Sequence, residues 1–277
     1  MIVSITNNKG GCGKTTTAAN LGAALRLRGF DVLAVDLDGQ ANLTLSFGLV
    51  AFRGCSTYDA MKRPAAPYIP PLRVLEPEQG AGVLDILPAD SDLSACEVEL
   101  SNQTDRVTRL GAFLKQYTGK YDFIIIDTPP ALGLLTISAL FAADAVIITV
   151  QPQYLAVQGL ISLTETVRKI DAARGIETVS RVLFTQYDGR KGLHRLTVEE
   201  VRNARFPAFQ AVIRENVALG EAPAVGLDIF RYAPRSKGAA DYTAVCAEFL
   251  TAAKVRHRSH GYRPRQTNRT TKEQSNK

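Results

Sequence analysis

The sequence has no tryptophan, three histidines, two methionines and four cysteines. Cys12, Cys55, Cys96 and Cys246 are scattered without a CxxC spacing, which argues against a zinc ribbon. A chain of 277 residues also buries enough surface to fold without disulfide staples, so a reducing cytosol is the expected compartment. The most membrane-like stretch, 131–150, is interrupted by Ala142-Ala143-Asp144 and reads as an amphipathic helix followed by a buried strand. Met1 runs into Ile2-Val3-Ser4-Ile5 with no basic n-region, so no secretion signal is expected. No internal repeat of solenoid length is present.

Charge is unevenly placed. The net charge is +6, yet residues 254–277 hold eight basic residues and one acid, Glu273, leaving 1–253 close to neutral at −1. The sequence therefore divides into a domain over 1–253 and a basic tail over 254–277. The tail has few large apolar residues and is expected to be disordered. Its readings are a solubilising end, a nucleic-acid contact or a membrane contact, the last disfavoured because no apolar face accompanies the charge.

Within 1–253, short β-rich runs alternate with helical periodicity. Strands are expected at 1–6, 31–36, 83–87, 121–127, 144–150, 179–185 and 210–213. Helices are expected at 16–28, 131–141, 157–174, 194–205 and 238–253. This alternation predicts an α/β fold, a mostly parallel open sheet with helices on both faces. Ala18, Leu21 and Leu25 share one face of the first helix, which should stop at Arg28-Gly29. Prolines at 64, 67, 70, 71, 77 and 88 make 50–92 read as an irregular insertion.

Asn8-Lys9-Gly10-Gly11-Cys12-Gly13-Lys14-Thr15-Thr16-Thr17 joins the first strand to the first helix, where backbone N–H groups and a helix N-terminus face an anion. Gly10, Gly11 and Gly13 permit close backbone approach to phosphate, Lys14 would reach the β- and γ-phosphates, and the Thr15 hydroxyl would ligate Mg²⁺. Thr16 follows in the same cradle. The strict P-loop pattern fails because Asn8 stands at its first glycine. Asp127 ends an apolar strand at the carboxyl edge of the sheet, where it can hold Mg²⁺ through water. Cys12 reads as inert packing, and His257 and His260 lack a third metal ligand.

The loop KGGCGKTTT resembles the deviant Walker A motif of the ParA/MinD family of dimeric ATPases, whose signature is an additional lysine, here Lys9. LAVDLDGQ (33–40) is similar to the family's LLVDLDPQ, with Gly39 in place of proline, and IIIDTPP (124–130) is similar to its Walker B and switch II segment. The resemblance continues through TQYDGR (185–190) and NVALGEAP (216–223), covers about 1–253, and is nearest to the short, Soj-like ParA proteins.

It implies an ATP-hydrolysing DNA-partition switch of chromosome or plasmid, cytoplasmic and nucleoid-associated. The ATP-bound homodimer would bind nonspecific DNA and be released by a ParB-like protein. It further implies that Lys9 acts across the dimer interface, that Asp38 orients the attacking water and that Asp36 supports the metal. Gln186, Arg214 and Asn216 would line the adenine pocket. Arg190, Lys191, Arg214, Arg235 and, from the tail, Arg256 and Arg258 are the candidate DNA contacts. Glu215 departs from the family by standing where an arginine is usual, which weakens the folded surface for phosphate.

Three alternatives lie within reach of the same motifs. One is a ParA-like ATPase that positions a protein assembly. A MinD-like membrane switch needs a C-terminal amphipathic helix, for which the tail has no pattern. An iron-sulfur carrier needs a cysteine just after the Asp127 segment, and none lies between Cys96 and Cys246.

Overall fold

A computed structural model of the chain describes residues 1–63, 66–154, 156–204 and 206–255. The first half contains β1 (Ile2–Thr6), α1 (Lys14–Leu27), β2 (Val32–Asp36), α2 (Asn42–Ser46), α3 (Thr57–Lys62), β3 (Leu72–Leu75), β4 (Leu84–Leu87), α4 (Cys96–Glu99), α5 (Arg109–Leu114) and β5 (Phe123–Asp127). After these come α6 (Leu134–Ala142), β6 (Ala145–Val150), α7 (Ala156–Arg174), β7 (Val179–Phe184), α8 (Gly192–Asn203), α9 (Val217–Glu221), α10 (Ile229–Tyr232) and α11 (Lys237–Ala252).

The strands form one sheet in the order β3-β4-β2-β5-β1-β6-β7, parallel throughout except for β3 against β4. The expected α/β architecture is present. Alternate residues of the same strands feed opposite faces, as the period of two requires. Val3, Ile5, Val32, Ala34 and Ile125 pack with α1 and α11. Leu33, Val35, Ile124 and Ile126 pack with α3, α5 and α6, while Val146, Ile148 and Val182 pack with α7 and α8. β1, β2 and β5 are therefore central, covered on both sides, and all end at one edge.

α1 stops as its sequence predicts: Arg28 caps it, and Gly29 takes φ 85 while its N–H returns to the Arg26 carbonyl. Two expectations need correction. The stretch 50–92 contains α3, closed by a capping box between Ser56 and Asp59, and the edge strand β3, so it is not irregular throughout. Residues 210–213 do not form a strand. The chain bridges β7 at Ala208 and again beside it at Arg214, but between these points the N–H groups of Gln210 and Ala211 donate to the Glu248 carboxylate of α11, each at 2.7 Å. A ladder cannot continue where a side chain has taken its donors.

Helix α6 starts at Leu134 rather than 131, after Pro129-Pro130 and an extended Gly133. At the far end Lys254 adopts φ 54 and the Val255 N–H returns to Leu250, so residues 254–255 complete the α11 cap and Val255 packs against the core. The rest of the predicted tail, 256–277, lies outside the described residues.

Candidate functional site

The loop between β1 and α1 opens on the carboxyl edge of the sheet. Gly11 and Gly13 hold φ 71 and 78, a region costly for any residue with a Cβ, and a Cβ on Gly13 would also stand 3.4 Å from Thr185. The Thr185 hydroxyl donates to the Cys12 carbonyl at 2.8 Å, and Gln186 Nε2 donates to the Gly11 carbonyl at 2.6 Å. The loop is thus held from outside by the segment after β7. Cys12 is 1 % exposed, with its Sγ against the Lys9 carbonyl, in keeping with a packing role.

Beneath the loop, Asp36 and Asp127 sit in register on the adjacent strands β2 and β5, both without solvent exposure. Thr15 donates its hydroxyl to Asp127 Oδ2 at 2.6 Å, which leaves the threonine oxygen's lone pairs available to a cation. Asp127 Oδ1 is buried with no hydrogen-bond partner. An unmet carboxylate oxygen in a dry site is costly. This orphan beside the Thr15 hydroxyl is the chemistry of a magnesium site, and Mg²⁺ fits the residues present.

Asp36 is engaged differently. Its Oδ2 accepts from the Thr44 N–H at 2.8 Å and the Thr44 hydroxyl at 2.7 Å, and its Oδ1 accepts from the Asp38 N–H at 3.2 Å. It organises the Asp38 turn and the start of α2.

Burial pushes the Asp36 carboxyl up to about 6 despite those hydrogen bonds. Asp127 is raised well above the ordinary carboxylate range, first by burial and then by the Asp36 charge, with Thr15 and Lys14 acting in the opposite sense.

The two lysines of the loop are tethered near each other. Lys14, 7 % exposed, donates to the Lys9 carbonyl at 3.0 Å, and Lys9 donates to Gln153 at the start of the α7 segment. Asp38 sits in a turn closed by the Gln40 N–H on its Oδ1 at 3.0 Å and the Ala41 N–H on its carbonyl at 2.8 Å. Thr44 and Gln153 belong to this arrangement although no motif marks them, and Thr185 opens the TQYDGR segment.

The other sequence-derived candidates are partly committed elsewhere. Arg214 forms a forked contact with Asp241 of α11, and Asn216 Oδ1 caps α9 by accepting from Ala218 N–H at 3.0 Å. Their segment does reach Tyr187, the neighbour of Gln186, because Tyr187 N–H donates to the Ile213 carbonyl and Glu215 N–H to the Tyr187 carbonyl. Arg190 grips Asp188 through Nε and Nη2, each at 2.9 Å, and Lys191 pairs with Glu215 at 2.5 Å. Arg235 is exposed, while Arg256 and Arg258 lie outside the described residues. Among the described candidates, Arg190, Lys191 and Arg214 thus each face a carboxylate.

A family model described as an AAA domain matches residues 1–178. The chain is 41 % identical to the sporulation initiation inhibitor protein Soj of Bacillus subtilis over 251 residues, 89 % of this chain and 97 % of that one. It is 38 % identical to the chromosome partitioning protein ParA of Myxococcus xanthus, covering 90 % and 87 %. Among solved structures, the septum site-determining protein MinD of Pyrococcus horikoshii, complexed with Mg-ADP, superposes with TM-score 0.73 at 28 % identity, covering 91 % and 96 %. Cobyrinic acid a,c-diamide synthase of Mycobacterium smegmatis, with bound ADP and magnesium, superposes with TM-score 0.75 at 29 % identity, covering 92 % and 96 %.

The raised carboxyls give a signed expectation. In the folded chain Asp127 keeps its proton to higher pH than in the unfolded chain, so the stability cost is absent below the ordinary carboxylate range and grows as pH rises through the folded value. Asp127→Asn is expected to raise the melting temperature of the nucleotide-free protein at pH 8, by roughly 2–4 °C per kcal/mol relieved. The gain should shrink toward pH 5. Differential scanning calorimetry across that range checks this, and a gain that grows toward acid would contradict it.

Proposed function

Because this chain belongs to the ParA/MinD family of P-loop ATPases, we propose that it is an ATP-hydrolysing dimeric switch for DNA partition. The observation that carries the reading is the Thr15–Asp127 contact with its orphaned carboxylate oxygen, set directly under a glycine loop at a helix N-terminus. ATP enters with its phosphates against the loop amides. Thr15 and Asp127 would hold magnesium, which would supply positive charge to offset that of the phosphates. Lys14 exchanges the Lys9 carbonyl for the phosphates.

Lys9, released from Gln153, supplies its charge to the partner's nucleotide, and this is what makes hydrolysis depend on dimerisation. Asp38, held by its turn, orients the attacking water. Gln186, Arg214 and Asn216 border the base. The ATP-bound dimer holds DNA without reading sequence, and a ParB-like protein triggers hydrolysis and release. No helix among the described residues is long and apolar enough to cross a membrane.

The division of roles is tested by light scattering with ATP and Mg²⁺. Asp38→Ala is expected to accumulate as a dimer, because phosphate and metal contacts remain while water positioning is lost. Lys14→Ala is expected to stay monomeric, with nucleotide affinity reduced about tenfold or more. Identical behaviour of the two variants would contradict the assignment.

DNA binding is expected to rest largely on the basic residues after Val255, since Arg190, Lys191 and Arg214 already face carboxylates. The truncation belongs after Val255, which completes the α11 cap. Fluorescence anisotropy at several salt concentrations should give the full chain a steeper fall of log K with log salt, by about 0.9 per lost phosphate contact. Equal slopes would place the interaction on the folded surface.

A further inference from the structure

The glycine loop is held along one side by residues 149–153, the end of β6 and its exit toward α7. Asn7 Nδ2 donates to the Thr149 carbonyl, Lys9 Nζ donates to Gln153 Oε1, and between these two contacts Gln151 reaches Gly11 through Gln186.

The middle contact has a direction that chemistry fixes. A backbone carbonyl only accepts, so Gln186 must turn its Nε2 to the Gly11 oxygen, as it does at 2.6 Å. Its Oε1 then faces the other way and takes a hydrogen bond from Gln151 Nε2 at 2.8 Å. The relay runs from Gln151 through Gln186 to the loop. Flipping either amide would set oxygen against oxygen.

The backbone around Gln186 is already fixed. Thr185 N–H donates to the Val150 carbonyl and Tyr187 N–H to the Ile213 carbonyl, each at 2.9 Å. Gln186 itself holds φ 51, a left-handed conformation uncommon for a residue with a Cβ. What freedom remains lies in its side chain, and that is where Gln151 acts.

The consequence falls on the loop amides. In a planar trans peptide the carbonyl and the following N–H point in opposite directions. Holding the Gly11 carbonyl toward Gln186 therefore aims the Cys12 N–H away from it. Thr185 does the same for the Gly13 N–H by donating its hydroxyl to the Cys12 carbonyl at 2.8 Å. Flanked by Gly11 and Gly13 at positive φ, these successive N–H groups form the kind of concavity that binds an anion.

We propose that Gln151 is a positioning residue for the phosphate loop: by donating to Gln186 it fixes the amide that holds the Gly11 carbonyl, and so aims the Cys12 N–H at the phosphates. The inference deepens the ATP reading and rests on it for the identity of the anion. Gln151 acts through Gln186, not on the nucleotide.

The test is a double-mutant cycle in the full chain with Gln151→Met, Gln186→Met and the pair, read by isothermal titration of ADP with Mg²⁺. Methionine is about as long as glutamine and has no donor. Gln151→Met is expected to weaken ADP binding by about two- to tenfold, the range for one hydrogen bond. Gln186→Met should weaken it at least as much. The double variant should match Gln186→Met alone, because the relay is already cut. In steady-state turnover of ATP, Gln151→Met should raise KM by a similar factor and leave kcat within about twofold, as expected when binding alone is lost.

Wild-type ADP affinity in Gln151→Met, an equal further loss when Gln151→Met is added to Gln186→Met, or a fall in kcat at unchanged KM would each overturn the proposal. If Gln151→Met does not fold, Gln151→Asn, one methylene short of the Gln186 amide, replaces it in the cycle under the same criteria. A wild type that binds no ADP removes the nucleotide reading and this inference with it, whereas a wild type that binds ADP as tightly as Gln151→Met removes only the role of Gln151.

Discussion

Two carboxylates buried side by side set the conditions for the rest of this molecule. Asp36 and Asp127 are register partners on β2 and β5, fully shielded from solvent at the edge where the central strands end. Isolated burial of charge is costly, and two like charges together are more so. The surrounding structure responds to that cost: Thr44 and Asp38 surround Asp36, Thr15 serves one oxygen of Asp127, and the other oxygen is left for a cation.

Much of this was legible in the sequence because the signals are local. The glycine loop falls between a strand and a helix, and each acidic motif ends an apolar run, so pattern and position agree. Contacts made by distant segments left no such trace. Glu248 and Asp241 on α11 capture the backbone of 210–211 and the Arg214 guanidinium, which removes an expected strand and occupies an expected nucleotide and DNA residue. β3 escaped notice because four residues behind two prolines carry too little periodicity. The role of Thr44 was hidden for the same reason, since a threonine in a short helix reads as solvated until the carboxylate beneath it is seen.

Glu215 departs from the family pattern by standing where an arginine is usual, and it pairs with Lys191, while Arg190 is held by Asp188.

The account stands or falls on whether the orphaned Asp127 oxygen is a place for magnesium. Isothermal titration of ATP into the full chain, once with Mg²⁺ and once with EDTA, and again for Asp127→Asn, addresses this directly. Magnesium is expected to tighten wild-type binding by about tenfold or more and to change the Asp127→Asn affinity little, since about 1.4 kcal/mol corresponds to each factor of ten. Equal wild-type affinities with and without Mg²⁺, or an undiminished magnesium effect in Asp127→Asn, would contradict it.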